Sequence, residues 1–168
     1  MLNTLFRVIS LIMDTIMVMD NTLDITPTLN PKRFDFFAHT ADIGIIAYGS
    51  TKEEAFANIA YGMFTLLAES DNVTPIKSIN IKAAGYNQDE LLVNFLSELL
   101  YHCSTKEMLF NKITILELTP TLIRAKAYGE KYIQGKHQLL QEIKTVTYHQ
   151  LKIEDTGCGW EIRVIFDV

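Results

Sequence analysis

The fold is decided where a helical pattern of apolar residues changes to a strand pattern. Residues 87–128 read NQDELLVNFLSELLYHCSTKEMLFNKITILELTPTLIRAKAY. Asn87 is a favourable helix N-cap, and Glu90 stands three residues later, where it can bond back to the backbone. The apolar residues that follow form a wide stripe at helical spacing, which predicts a helix covered on more than one side. The stripe consists of Leu91, Leu92, Phe95, Leu96, Leu99 and Leu100.

After Lys106 the apolar pattern has a period of two. Residues 113–118 alternate and predict one strand, and residues 122–128 predict the next. Thr119-Pro120-Thr121 lies between them and predicts a hairpin turn. A helix followed by a hairpin in one segment indicates an α+β domain.

The residues before this segment repeat both patterns. Residues 34–38 and 43–49 are short apolar and aromatic runs that predict two strands around the turn-like His39-Thr40-Ala41-Asp42. Thr51 and Glu54 form a capping box, and helical spacing behind it predicts a helix that ends near Glu69. Residues 76–84 alternate and predict a half-buried strand.

The residues after the hairpin predict a loop and two more strands. Residues 129–141 are polar and predict a loop. Residues 146–153 and 160–166 predict the last two strands, joined through the Gly-containing turn at 155–159. Two early helices and mostly antiparallel late strands predict a single α+β domain over residues 34–168.

Residues 1–33 differ from the rest and are predicted to be an N-terminal extension. The apolar, Met-rich run over residues 1–19 is interrupted by Asp14, and no small-residue cleavage pattern follows it. Asp14 and Asp20 leave too short a stretch for a membrane-spanning helix. The extension is expected to be disordered, loosely docked or the product of a misassigned start. A membrane-tethered form is the alternative, and a cytoplasmic protein without a membrane is expected.

Composition restricts the classes of function. The net charge is −5 and the isoelectric point is near 5.3, which argues against a broad phosphate-binding surface built from clustered Lys and Arg. Cys103 and Cys158 lie 55 positions apart without metal-ligand spacing, and are expected to be reduced, partly buried thiols. No phosphate-binding glycine loop, nucleophile elbow or H-E-x-x-H motif is present in the sequence.

Candidate metal ligands lie at one turn and at the chain end. The last predicted strand brings the Asp167 side chain and the terminal carboxylate of Val168 to its end. If this strand lies beside the strand that starts at Asp42, three carboxylates meet. Hard divalent cations bind such oxygen clusters. The alternative is that Asp42 satisfies turn amides and Asp167 is solvated.

Four segments of the chain resemble the archease family, in the expected order. His39-Thr40-Ala41-Asp42-Ile43-Gly44 resembles the family's H-T-A-D-I-G motif, and residues 94–100 resemble its central helix. Residues 144–149 resemble its K-A-V-T-Y-H stretch, with Thr145 where Ala is usual. Residues 160–168 resemble its closing strand. The resemblance covers residues 34–168 and does not extend to residues 1–33.

The resemblance implies a three-layer β/α/β fold and a role outside catalysis. Archeases bind a divalent cation, assigned as calcium, through positions that match Asp42, Asp167 and Val168. They are expected to assist the RtcB-type RNA ligase of tRNA splicing, which joins a 2′,3′-cyclic phosphate or 3′-phosphate end to a 5′-hydroxyl end. Archease promotes guanylylation of the ligase's histidine and restores it for multiple turnover.

The sequence therefore predicts an accessory protein of an RtcB-type ligase, which contacts RNA only through that ligase. Its working surface would be a metal-binding acidic group made of Asp42, Asp167 and Val168, with Ca²⁺ expected and Mg²⁺ or Mn²⁺ as alternatives. Two other functions are open. One is a metal-dependent phosphoester hydrolase, for which His39 is the only nearby candidate base. The other is an RNA or protein chaperone, against which the acidic pI and the lack of a basic-aromatic stripe count.

Overall fold

The structure, a computed structural model, describes residues 32–39 and 42–168. The predictions for residues 1–31 and for the turn residues Thr40 and Ala41 lie outside the described part. The compact unit that contains all the described residues runs from Lys32 to Val168.

The described residues form eight strands, two helices and a short 3₁₀ turn at Ser70–Asn72. The helices are α1 (Lys52–Leu67) and α2 (Gln88–Lys106). Neither helix is long and apolar enough to cross a membrane. The strands are β1 (Phe34–His39), β2 (Asp42–Gly49), β3 (Lys77–Ala84), β4 (Met108–Leu118), β5 (Leu122–Lys131), β6 (Thr145–Val146), β7 (Lys152–Asp155) and β8 (Trp160–Asp167).

The strands form two antiparallel sheets with the helices between them. The large sheet has the order β1-β2-β8-β6. β7 also pairs with β8, at residues 160–163, whereas β6 pairs at residues 166 and 167. The small sheet has the order β3-β5-β4. Both helices pack against strands of both sheets, so they form the middle layer. This confirms the α+β prediction, and the layers match the β/α/β arrangement that the resemblance implies.

Both helices begin where their caps were predicted. The Thr51 side chain accepts a bond from the Glu54 N–H, and the Asn87 side chain accepts one from the Glu90 N–H. In a standard capping box the glutamate accepts a bond from the N–H of the N-cap residue, whereas here each glutamate accepts from the residue before the N-cap. Glu54 accepts from the Ser50 N–H and Glu90 from the Tyr86 N–H, so each cap also fixes the entry of the chain into its helix.

Three strand boundaries were predicted wrongly, and the first is the start of β4, which lies at Met108 and not near Ile113. Residues 129–131 belong to β5 and not to the loop, because they pair with Met108–Phe110 of β4. Residues 146–153 are not one strand, because the chain turns after β6 before β7 begins. At that turn Gln150 has a left-handed φ of 52°, and the Leu151 N–H bonds to the Tyr148 carbonyl. Gly129, Glu130 and Lys131 are not apolar, so the alternating apolar pattern that marks a strand stops before them.

The thiols differ in exposure. Both cysteines are free. Cys103 is half-buried, as predicted, and burial raises the pKa of its thiol. Cys158 is exposed, so the prediction of partial burial is wrong for this residue.

The polar segment after β5 folds around a buried carboxylate. Glu130 is only 4% exposed and accepts bonds from the Thr74 N–H and the Lys136 ammonium. His137 is also buried, and its Nδ1 accepts the Ile133 N–H at 2.9 Å. Its Nε2 therefore carries the proton and donates to Glu130 Oε1 at 3.2 Å. The Lys136 bond, with the Thr74 and His137 bonds, lowers the pKa of Glu130 to about 2.

Glu130→Gln is expected to remove a pH-dependent part of the stability. Because the folded pKa is depressed, the carboxylate stabilises the fold fully above its ordinary pKa of 4.5. That stabilisation is lost as the pH falls from there toward about 2. Urea midpoints should therefore differ between the variant and the unmodified chain at pH 7, and the difference should narrow steadily as the pH falls from 4.5 toward about 2. Glu142→Gln, which removes an exposed carboxylate, is the control, and a gap that persists at low pH would contradict the assignment.

Candidate functional site

The register of β2 and β8 brings the two predicted aspartates together. These strands pair in antiparallel fashion, with Ile43 opposite Phe166. The next residue toward this end of the sheet is Asp42 on β2 and Asp167 on β8. The two aspartates therefore occupy adjacent positions on neighbouring strands, and residues so placed point to the same face of a sheet. Both are half-buried and accessible to solvent.

The chain end completes the predicted group. Val168 directly follows Asp167, so its terminal carboxylate lies at the same end of the sheet. The conditional prediction that the last strand lies beside the strand from Asp42 is thus confirmed, although the binding of a metal there stays a prediction. We call Asp42, Asp167 and the Val168 carboxylate the acidic tip. His39 occupies the register position opposite Asp42 on β1.

Lys144 is a basic residue at the acidic tip, and it was not predicted as a site residue. Its ammonium lies 2.8 Å from an oxygen of the Val168 carboxyl group and 3.8 Å from Asp167 Oδ1. Its backbone N–H donates to the Asp167 carbonyl at 2.9 Å. Lys144 opens the stretch that resembles K-A-V-T-Y-H, and this was the available signal. The sequence alone did not show that Lys144 contacts Val168, which lies 24 positions away.

The rest of that stretch holds the last strand in place. Thr145 pairs with Asp167, and the buried Val146 pairs with Phe166. The Thr147 N–H and hydroxyl both donate to the Ile165 carbonyl, at 3.1 and 2.9 Å. The end of β8 is therefore bonded on both edges, and the terminal carboxylate is attached to a fixed strand.

An aromatic ring leaves no room for a side chain at the glycine of the H-T-A-D-I-G motif. Gly44 lies opposite Phe37 in the β1–β2 register. A Cβ on Gly44 would lie 2.0 Å from Cζ of Phe37, so the ring covers the glycine. The guanidinium of Arg163 lies 5.4 Å from the centre of the same ring. Phe37, Gly44 and Arg163 thus join the three strands next to the acidic tip.

The acidic tip has oxygen donors of the type that hard divalent cations bind. Among the described residues no group of three His, Cys, Asp or Glu side chains could hold a metal. Within the described part of the chain, the terminal carboxylate of Val168 is the third carboxylate at this end of the sheet, and it is not a side chain. The set therefore fits a cation if Asp42, Asp167 and the Val168 carboxylate act together. Lys144 contributes one positive charge beside Asp167 and the Val168 carboxylate.

The central motif has a structural role. Phe95, Leu96 and Leu99 of α2 are fully buried in the middle layer. Asn94 donates to the Ala84 carbonyl at 2.8 Å and ties the helix to the end of β3. The buried residues of this stretch therefore support the two sheets.

A family model and individual related proteins both match this domain to archeases. The model of the archease protein family matches residues 34–168. The archease of Methanosarcina mazei is 38% identical over 141 residues, which cover 82% of this chain and 97% of that protein. The archease of Sulfurisphaera tokodaii is 37% identical over 139 residues, which cover 82% and 99%.

Solved structures show the same fold. The solution structure of Methanobacterium thermoautotrophicum protein 1598 superposes with a TM-score of 0.68 at 32% identity, covering 81% of this chain and 99% of that one. The crystal structure of a Thermotoga maritima archease, a possible chaperone, gives a TM-score of 0.52 at 20% identity, covering 79% and 94%. The latter supports the fold alone. Because the family model and the curated relatives span the residues that build the two sheets and the acidic tip, the chain belongs to the archease family.

Proposed function

We propose that this chain activates an RtcB-type RNA ligase by placing its acidic tip in the ligase's metal- and GTP-binding site. There it promotes guanylylation of the ligase's histidine and supports multiple turnover. The ligation chemistry stays with the partner, and this chain acts as its cofactor protein. The observation that carries the proposal is the β2–β8 register, which places Asp42 next to Asp167 at the chain end.

The exposure of the acidic tip supports insertion into a partner. The Asp167 side chain is 45% exposed and the Lys144 side chain 61% exposed, so both can reach another protein without unfolding. The strand that carries Asp167 is bonded on both edges. A rigid projection of this kind loses little conformational entropy when it enters a cleft.

The charge of the acidic tip also supports this partner. The tip presents carboxylates at the surface, whereas a ligase site that holds RNA and GTP phosphates must be basic or metal-rich. An activator shifts its partner only by binding one state more tightly. We therefore propose that the tip favours the ligase conformation that reacts with GTP.

A divalent cation belongs to this proposal. Asp42, Asp167 and the Val168 carboxylate would hold it, with Ca²⁺ as the expected ion and Mg²⁺ or Mn²⁺ as alternatives. The ion would supply a positive charge that lets the three carboxylates approach one another and the partner's phosphates. Lys144 already offsets part of their repulsion, since its ammonium contacts the oxygens of Asp167 and Val168.

Asp42→Asn is expected to reduce ligase guanylylation by about tenfold to 100-fold, a magnitude typical of altered metal sites. The substitution keeps the size of the side chain and removes its charge. Incorporation of labelled GTP into the ligase, with and without this protein, measures the effect. Asp71→Asn is the matched control, because Asp71 is an exposed aspartate in the 3₁₀ turn.

The result depends on both proteins remaining folded, which thermal unfolding of each variant checks. If Asp42→Asn and Asp71→Asn stimulate the ligase equally well, the acidic tip is not the working surface. If neither the variants nor the unmodified chain stimulate guanylylation, the partnership itself is wrong.

A further inference from the structure

The outer face of the small sheet is basic. On β5, Arg124 and Lys126 alternate with buried residues at 123, 125 and 127 that face the helices. Arg124 and Lys126 therefore point away from the helix layer, and Tyr128 follows them on the same side. Neighbouring strands add Lys82, opposite Arg124, and Lys112, opposite Tyr128.

These five residues form one continuous group, which we call the basic face: Lys82, Lys112, Arg124, Lys126 and Tyr128. The ammonium groups of Lys112 and Lys126 lie 5.3 and 5.7 Å from the centre of the Tyr128 ring. Glu117 is the carboxylate that the described strands add to this face, and it pairs with Arg124 at 3.3 Å. Two ammonium groups thus flank one aromatic ring, and Lys82 and Arg124 lie opposite each other farther along the same face.

The basic face includes a like-charge pair that is unfavourable to the fold. Lys82 and Arg124 lie directly opposite each other on antiparallel strands, an arrangement in which like charges destabilise a sheet. The face also has the opposite sign to the chain, whose net charge is −5. A concentration of positive charge that costs stability in an acidic protein indicates a negatively charged ligand.

We propose that the basic face binds the phosphate backbone of single-stranded RNA, with Tyr128 available to stack on a base. Phosphate contacts by Lys and Arg supply most of the affinity in such complexes, and aromatic side chains on an open sheet stack on bases. In choosing RNA among polyanions, the inference rests on the proposed partnership with an RNA ligase. The basic face and the acidic tip lie on different sheets, so the chain can use both at once.

The linear sequence shows no basic-aromatic stripe because its members come from three strands. Positions 82, 112, 124 and 126 are brought together only by the order β3-β5-β4. The folded sheet therefore brings together a group of basic and aromatic residues that composition and linear sequence do not indicate.

The test measures binding of a labelled, unstructured RNA oligonucleotide to the full-length chain by fluorescence anisotropy, without the ligase. Four phosphate contacts predict an affinity that falls about 50-fold between 50 and 200 mM salt. The triple variant Lys82→Gln, Arg124→Gln, Lys126→Gln leaves one contact, so its affinity should fall only about threefold over that range. The matched control is Lys32→Gln, Lys106→Gln, Lys152→Gln, which removes three exposed lysines elsewhere.

Tyr128→Leu separates RNA from other polyanions. It is expected to weaken RNA binding about fivefold or more at every salt concentration, because stacking is lost, and to leave heparin binding unchanged. Circular dichroism confirms that each variant is folded.

The proposal is overturned if the full chain does not bind RNA at 50 mM salt, or if the triple variant and its control bind equally. It is also overturned if phosphatidylserine vesicles or an acidic protein bind this face and RNA does not. The same holds if Tyr128→Leu changes the affinity for neither RNA nor heparin. The ligase assay is independent of these outcomes. The triple variant should stimulate guanylylation like the unmodified chain, so failure of RNA binding and failure of the partnership are distinguishable.

Discussion

Extension of the chain by Gly-Ser after Val168 is expected to lower its stimulation of ligase guanylylation about tenfold or more. Each added residue carries the terminal carboxylate up to about 3.5 Å farther from Lys144 and Asp167. The acidic tip then loses one of its three negative charges, and an amide takes the place of that carboxylate. Since shifting a metal ligand or its support reduces affinity about tenfold to 100-fold, divalent cation binding should weaken as well. Guanylylation assays and calorimetric titration with Ca²⁺ measure the two effects.

The same extension should leave the fold unchanged. The bonds of β8 to its neighbours end at Asp167, and the half-buried Val168 side chain stays in place. Val168→Ala, which keeps the terminal carboxylate and shortens the side chain, is the matched control and should stimulate nearly as well as the unmodified chain. Full activity of the extended chain would show that the terminal carboxylate takes no part, and would leave Asp42 and Asp167 to act alone.

The sequence predicted the elements whose signals are local. The caps at Thr51 and Asn87 and the turn at 119–121 lie within a few residues of the elements they begin or join. The acidic tip was predicted conditionally because a strand that starts at Asp42 and a strand that ends at Asp167 align at one end if they pair antiparallel. The pairing itself depends on packing of β2 and β8 on the helices, which no local pattern reveals.

The features that the sequence did not predict all depend on contacts between distant segments. Lys144 reaches the chain end 24 residues away, and Glu130 bonds to Thr74 across 56 residues. The polar segment that contains Glu130 looks like a loop until its buried partners are known. The basic face also depends on contacts between distant segments, because strand pairing brings Lys82 opposite Arg124. Sheet register thus decides the site in this fold, whereas the helices could be assigned from spacing.

Phe95→Ala is expected to destabilise the protein by about 3–5 kcal/mol, the usual cost of removing a fully buried aromatic ring. Phe95 lies on α2 with no exposed surface, and its ring centre is 6.4 Å from that of Phe56 on α1. The two rings join the helices of the middle layer, so the cavity would weaken the support of both sheets. For a chain of this size the loss corresponds to a fall in Tm of about 6–20 °C.

Tyr101→Ala on the same helix is the control, because this ring is 54% exposed and should cost less than about 1 kcal/mol. Phe95→Leu, which keeps most of the apolar volume, should fall between the two. Thermal and urea unfolding measure all three variants. Stimulation of ligase guanylylation by the acidic tip gives a second measurement, because the strands β2 and β8 that carry the tip both pack on α1. If Phe95→Ala unfolds no more easily than Tyr101→Ala, the helices are not the layer that holds the two sheets together.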